Sequence, residues 1–295
     1  MRFSTLVLLL FSCLVASSQA KNIKEYLPAD GVELLYLENM RGAVVIKGVN
    51  PGDKRAAITV EGKVDSAADD VVFNAIGKRA EFKVVMPKNR QFYNKKASKL
   101  VVEVPNNIEL VVVGTSTQYD IENFSGKVKV TSVSGNVVVK NVAAGANISN
   151  VSGLTQVSDT GGTLILSTVN GKVTAQTQAS TINIRSISAD VSLKVSDNKS
   201  INASNVSGET LVSGTFAAKH AISLSSVSGE IALSFEQAAN ASFYLTAGPG
   251  GAIETELTSK KPLSSIVNDQ KLEFVAGDGG GEVTISTLNG TITVN

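Results

Sequence analysis

The sequence has no tryptophan, one histidine and one cysteine in 295 residues, and aromatics make up only 5% of it. Each shortage removes a class of function. Binding sites built from aromatic platforms are poorly supplied. With His220 as the sole imidazole, a histidine-based triad has to be assembled around that one residue. It stands in Phe216-Ala217-Ala218-Lys219-His220, with no nucleophile-elbow pattern beside it, and reads as an exposed loop insertion. The lone thiol, Cys13, falls in the first twenty residues, so the remainder offers no disulfide and no thiolate metal ligand. Charge is also lacking in either sign: 27 Lys and Arg face 26 Asp and Glu. A balanced chain has no surplus of cations to neutralise nucleic-acid phosphates, so no nucleic-acid partner is expected. After residue 20 no apolar run approaches the roughly 18 residues that span a bilayer, so no integral membrane segment is expected after cleavage.

The first twenty residues read as a signal peptide. Arg2 supplies the positive start, Leu6 to Val15 the apolar middle, and Ser18-Gln19-Ala20 a small-x-small cleavage pattern. The expected location is therefore periplasmic, extracellular or on the cell surface. A lipid-acceptor role for Cys13 fits less well, because Phe11 is bulky for that slot and the apolar run continues past the cysteine.

What the chain does have is a repeated phrase. Phe124-Ser125-Gly126, Val133-Ser134-Gly135, Val151-Ser152-Gly153, Val169-Asn170-Gly171, Val206-Ser207-Gly208 and Val227-Ser228-Gly229 punctuate the middle of the chain. Gly135, Gly153 and Gly171 stand 18 residues apart, Ala189 fills the next slot, and Gly208 and Gly229 follow at 19 and 21. After nearly every phrase apolar residues alternate, as in Val137 and Val139, Val191, Leu193 and Val195, or Ile231, Leu233 and Phe235, which is the mark of a strand with one buried face. A weaker set of turns falls halfway, at Ala144-Gly145, Gly161-Gly162 and Ser180-Thr181. A unit of two short strands cannot bury its own apolar face and must stack on its neighbours. The fold class that follows is all-β: a parallel β-solenoid (β-helix) with rungs of about 18–21 residues. Glycine at the corners accommodates positive φ, and the Val or Ile before it is expected to point into one continuous apolar column.

Residues 21–120 read as less regular β-rich rungs that cover the otherwise open first edge, and residues 121–295 as the regular coil. Ser66 to Ile76 is open to a short helix or a loop. The closing sequence, Gly281-Glu282-Val283-Thr284-Ile285-Ser286-Thr287-Leu288-Asn289-Gly290-Thr291-Ile292-Thr293-Val294, repeats the phrase once more, so the coil is expected to run to the last residue.

Those phrases, the signal peptide and the closing sequence together resemble the putative-adhesin family of exported bacterial β-solenoids, a domain-of-unknown-function family. The resemblance implies a fold, an envelope or extracellular location and adhesion-like binding. It transfers no catalytic or ligand residues.

Two groups remain as candidate sites. Residues just after the corners should stack as Asn136, Leu154, Lys172, Asp190, Glu209 and Glu230. Carboxylates on successive rungs near 4.8 Å apart disfavour one another and could hold a divalent cation through oxygen ligands, so Asp190, Glu209 and Glu230 are a candidate weak cation site. The second group is a basic run from Lys78 to Lys99, with Lys88, Arg90, Lys95 and Lys96 as a candidate contact for an acidic surface. Gly277 to Gly281 fits neither a phosphate loop nor a dinucleotide fingerprint. The functional expectation is a non-enzymatic binding or structural protein that needs no cofactor, with an envelope protein or glycan surface as partner. The alternative is a polysaccharide-active β-helix enzyme using the carboxylate column, since a pair near 5 Å matches the spacing in retaining glycosidases.

Overall fold

The computed structural model describes residues 21–52, 57–87, 95–266 and 268–295. Among the described residues there are 21 strands and no helix. In chain order they are β1 (Asn22–Pro28), β2 (Leu34–Val49), β3 (Ala57–Lys63), β4 (Asp70–Ile76), β5 (Arg79–Val85), β6 (Ser98–Pro105), β7 (Glu109–Phe124), β8 (Val128–Ser134), β9 (Val137–Val142), β10 (Gly145–Ser152) and β11 (Leu154–Thr160). There follow β12 (Thr163–Thr177), β13 (Thr181–Asn205), β14 (Thr210–Ser226), β15 (Ile231–Phe235), β16 (Ala241–Ala247), β17 (Ala252–Thr255), β18 (Leu263–Ser264), β19 (Gln270–Ala276), β20 (Gly281–Thr287) and β21 (Thr291–Val294). The segment left open between helix and loop ends in strand β4.

The 18-residue spacing becomes a stacking register. Val130 pairs with Ile148, Ile148 with Leu166 and Leu166 with Ile184, all in parallel strands. On the opposite face Val139, Val157, Ala175, Leu193 and Val212 align in the same way. Both columns are buried to within a few per cent and turn toward each other across a narrow aliphatic interior. Each Val, Leu or Ile among them is worth about 1.5–3 kcal/mol when fully buried, and none of these packs without the rung above or below it. The fold is therefore a two-faced β-solenoid.

Corners explain the glycines. At Gly153 φ is 114° and a Cβ would lie 2.5 Å from the carbonyl oxygen of Gly135; at Gly171 φ is 125° and a Cβ would lie 2.3 Å from that of Gly153. A side chain at either position would collide with the rung beneath, so the phrase has to end in glycine. The second corner uses a different device. Asn123, Asn141 and Asp159 adopt left-handed φ of 66°, 52° and 51°, and Asp197 one of 50°. Asn and Asp tolerate this region better than other side chains, and Asn123, Asn141 and Asp159 stand 18 residues apart, at the same period as the glycines.

Phe124, in the first phrase, is buried at 2% exposed, but the aliphatic residue that opens each later phrase does not point inward. Val133, Val151, Val169, Ile187, Val206 and Val227 are between 41% and 49% exposed. Parity is the reason: side chains alternate along a strand, and β8 buries Val128, Val130 and Ser132, which sends Val133 out. The alternation then restarts beyond the corner, where two consecutive residues are exposed, as at Ile187-Ser188 within β13. The apolar core is built from the strand interiors, and the corner valines lie outside it.

Chain order and spatial order part company at both ends. β2 lies between β7 on one side and β5 and β6 on the other. Antiparallel β4, β3 and β1 complete that end, pairing with β5, β6 and β3 respectively. At the far end the last rung, β20 and β21, is inserted between the rung of β14 and β15 and the rung of β16 and β17. Antiparallel β19 and β18 then close the face beyond β16. The coil does continue to the C-terminal strand, but that strand is not its outermost rung.

Candidate binding surface

The outward valines form a ridge. Parallel register brings Val133, Val151, Val169, Ile187, Val206, Val227 and Leu288 onto consecutive rungs along one corner, with the two β-sheet faces falling away on either side. Leu288 is 50% exposed. The ridge stops at Gly248, the next position in register, where a Cβ would lie 2.7 Å from the Leu288 carbonyl oxygen. At the other end the slot is held by Thr115 and then Met40, whose Sδ accepts the Thr115 hydroxyl at 3.7 Å.

Serines lock the ridge to the coil. Ser134 Oγ donates to the Thr115 carbonyl at 3.1 Å, and Ser152, Ser207 and Ser228 donate to the carbonyls of Val133, Ile187 and Val206, each at 3.3 Å. Beneath the ridge lies a buried polar seam. Asn150 Nδ2 donates to the Gly135 carbonyl at 3.1 Å, Asn205 Nδ2 to the Ala189 carbonyl at 2.9 Å, and Ser186 Oγ to Asn205 Oδ1 at 2.6 Å. Tight corners leave backbone carbonyls unpaired by the ladder, and these side chains satisfy them.

The residues after the corner do stack in the expected column. Lys172 pairs with Asp190, and the rungs of Asp190, Glu209 and Glu230 follow one another. All three carboxylates are exposed, and Asp190 Oδ1 accepts the backbone N–H of Glu209 at 3.2 Å, just as Asn136 Oδ1 accepts that of Leu154 at 3.1 Å. Among the described residues no group of three or more His, Cys, Asp or Glu is disposed to hold a metal ion.

The single histidine is not where the sequence suggested. His220 is 7% exposed and lies within β14, its ring 5.4 Å from that of Phe216 and 6.2 Å from that of Phe235. Nδ1 is 2.8 Å from the Ala217 carbonyl, and Nε2 is buried without a partner. The inserted residues lengthen a strand, and their aromatic side chains fold the imidazole into the core end. No serine or carboxylate in the described structure joins it in a triad.

In the basic run, Lys88 and Arg90 lie outside the described residues. Lys95 is half-buried and Lys96 exposed, the backbone of the latter bonded to Ser66 in both directions. Neighbouring cations are matched by acids distant in sequence. Lys78 pairs with Glu33 and Lys83 with Glu38 at 2.9 Å, and the hydrogen bond to Glu38 raises the Lys83 pKa. Arg79 sits over the Tyr36 ring at 4.5 Å. The run is thus less positive in space than along the chain.

Depressions in the surface are shallow. One of about 520 Å³ runs beside Asn50, Asn106, Asn123 and Asn141, and another of about 490 Å³ lies between Lys199, Lys219, Tyr244 and Glu282.

A stacked coil with outward ladders of like residues defines the class, a repeat-built β-solenoid. The chain belongs to the Toastrack DUF4097 family, whose model matches residues 18–295, in keeping with the resemblance carried by the Val-Ser-Gly phrases. No curated protein sequence matches it. Among solved structures, a putative cell adhesion protein from Clostridium sporogenes is similar at 13% identity and TM-score 0.27, over 94% of this chain and 99% of that one. A putative lipid binding protein from Parabacteroides distasonis is similar at 12% identity and TM-score 0.48, over 93% and 96%. No helix of the described residues is long and apolar enough to cross a membrane.

Proposed function

We propose that this protein is an exported, non-enzymatic binding scaffold of the cell envelope, adhesin-like in engaging a glycan or protein surface through its faces. The observation that carries this reading is the outer surface of the first face. There Thr131, Ser149, Ser167, Arg185, Ser204, Ser225 and Ser286 stand on successive rungs, all hydroxyl-bearing except Arg185, and the next column carries the amides of Asn147, Asn183 and Asn202 with Ile165 among them. Strand pairing fixes their spacing at about 4.8 Å, so a ligand with many weak polar contacts meets a pre-ordered array and little ordering entropy is lost on binding. The signal-like residues 1–20 support export. The side chains that could perform acid–base chemistry do not converge: His220 is buried against phenylalanines, and Asp190, Glu209 and Glu230 stand exposed on a corner.

The test is a paired assay on purified protein with insoluble envelope polysaccharide as the probe, measuring bound protein and released reducing ends together. Saturable binding without release is expected, with binding weakened when Ser167 and Ser204 are both changed to Lys. Release of sugar that disappears in Asp190→Ala or Glu209→Ala would replace this reading with the carbohydrate-cleaving one, and absence of both binding and release would remove the glycan-binding part.

A further inference from the structure

We infer that the protein pairs with a second copy of itself along the valine ridge, the two solenoids lying side by side and parallel about a two-fold axis that follows the ridge. Seven aliphatic side chains in consecutive rungs, each close to half exposed, make a continuous apolar line. Strand spacing gives it a length of about 29 Å. Contiguous exposed apolar surface of this kind marks an interaction site. Strand propensity alone does not demand it, because Thr115 occupies the same slot one rung earlier.

The shape suits a β-structured copy of the same chain. Ridge side chains are short, mostly β-branched, and bordered mainly by small serines, of which Ser152, Ser207 and Ser228 already bond ridge carbonyls. Desolvating that border therefore breaks few bonds with water. A partner must present apolar groups at the rung repeat, and a second ridge does so by construction, as in dry zipper interfaces between sheets.

Charge decides the direction. In the column on the first-face side of the ridge, every residue from Thr131 to Ser286 is Ser or Thr except Arg185, which is exposed and has no ion pair among the described residues. The column on the other side carries Asp190, Glu209 and Glu230. Antiparallel pairing centred on Ile187 would set Arg185 against its own copy. Parallel pairing about the ridge sets Arg185 of each copy against the Asp190 rung of the other, twice over, with Glu209 one rung away. A closed two-fold pair also leaves no ridge exposed for further growth. A strip about 13 Å wide gives about 400 Å² from each copy, half that of a standard interface, so the pair should be reversible.

The pairing inference does not rest on the scaffold reading, and the two fail in different assays. The first experiment is sedimentation of the full chain from roughly 5 to roughly 500 µM, the range in which so small an interface should dissociate. A concentration-dependent dimer is expected. Ile187→Glu, at a half-exposed position, should weaken it about tenfold or more; Arg185→Glu should weaken it, and adding Asp190→Lys should restore it. The second uses a Cys13→Ser background, in which single cysteines at Val133, Ile187 and Val227 should each cross-link to themselves faster than one at Ser223 on the open face. A monomer at every concentration, or no cross-linking above Ser223→Cys, overturns the proposal. Cross-linking at Ile187 alone, of the three, overturns the parallel arrangement.

Discussion

A Cβ placed on Gly281 would lie 2.3 Å from Cε1 of the His220 ring and 2.4 Å from its Nε2. The two residues are 61 positions apart in sequence and meet because β20 pairs beside β14, Ala221 standing opposite Glu282. Glycine is required here by the imidazole, and backbone conformation does not enter.

Gly281→Ala should therefore cost about 1–3 kcal/mol as overpacking, read by urea denaturation. Combined with His220→Ala the loss should be smaller than the sum of the single effects, since the added methyl then occupies space the ring has left. Additive losses would show that the two residues do not compete for one volume.

The ridge and the core make opposite predictions for neighbouring residues of similar type. Val151→Thr, at a position 41% exposed, should change stability by no more than about 0.5 kcal/mol. Ile148→Ala, three residues earlier and 1% exposed, should cost about 2–5 kcal/mol. Comparable losses for the two would put the corner valines back inside the solenoid.

Arg41 and Asp65 tie the N-terminal rungs together. The Arg41 Nε and Nη2 groups donate to the two carboxylate oxygens at 2.5 and 2.9 Å, the Ala67 N–H donates to Asp65 Oδ1 at 2.8 Å, and only 1% of the Asp65 side chain is exposed. Asp65→Asn keeps the shape but removes the charge from a carboxylate that accepts from Arg41 and Ala67, and should destabilise by about 1–3 kcal/mol. A melting temperature unchanged from the parent would show that the pair contributes nothing.

Burial pushes the Tyr119 phenol well above its ordinary pKa of about 10. Its hydroxyl donates to the Val113 carbonyl at 2.9 Å. The folded state thus keeps a proton that the unfolded chain releases above about pH 10, so this group's contribution is constant below that pH and is lost as pH rises beyond it. Melting temperatures measured from pH 8 to pH 11 should fall at the alkaline end more steeply for the parent than for Tyr119→Phe. Parallel curves would rule Tyr119 out as the source.

Much of the architecture could be read along the chain. The spacing of Gly135, Gly153 and Gly171 sets the rung length, and alternation in Val191, Leu193 and Val195 names buried positions that the structure confirms as 1–2% exposed. The column of Asp190, Glu209 and Glu230 was legible for the same reason, since a constant period converts directly into stacking. His220 was misplaced because an insertion of polar and small residues looks like a loop until the aromatic contacts that fold it back are known. The acidic partners of Lys78 and Lys83, Glu33 and Glu38, were missed because they lie 45 residues upstream and are joined only through the β2–β5 pairing.

Local chemistry was enough to set the repeat: glycine where a rung backbone presses on the next, β-branched residues between, and a two-residue alternation that any strand obeys. It could not say on which side of the sheet the corner valines would fall. That depends on where two exposed residues interrupt the alternation, and the interruption is imposed by stacked neighbours and the buried Asn and Ser that satisfy their carbonyls. Nor could it place β20 between β14 and β16, because the contacts that seat it, such as Ser226 with Thr287, join residues 61 apart and exist only once the coil has formed.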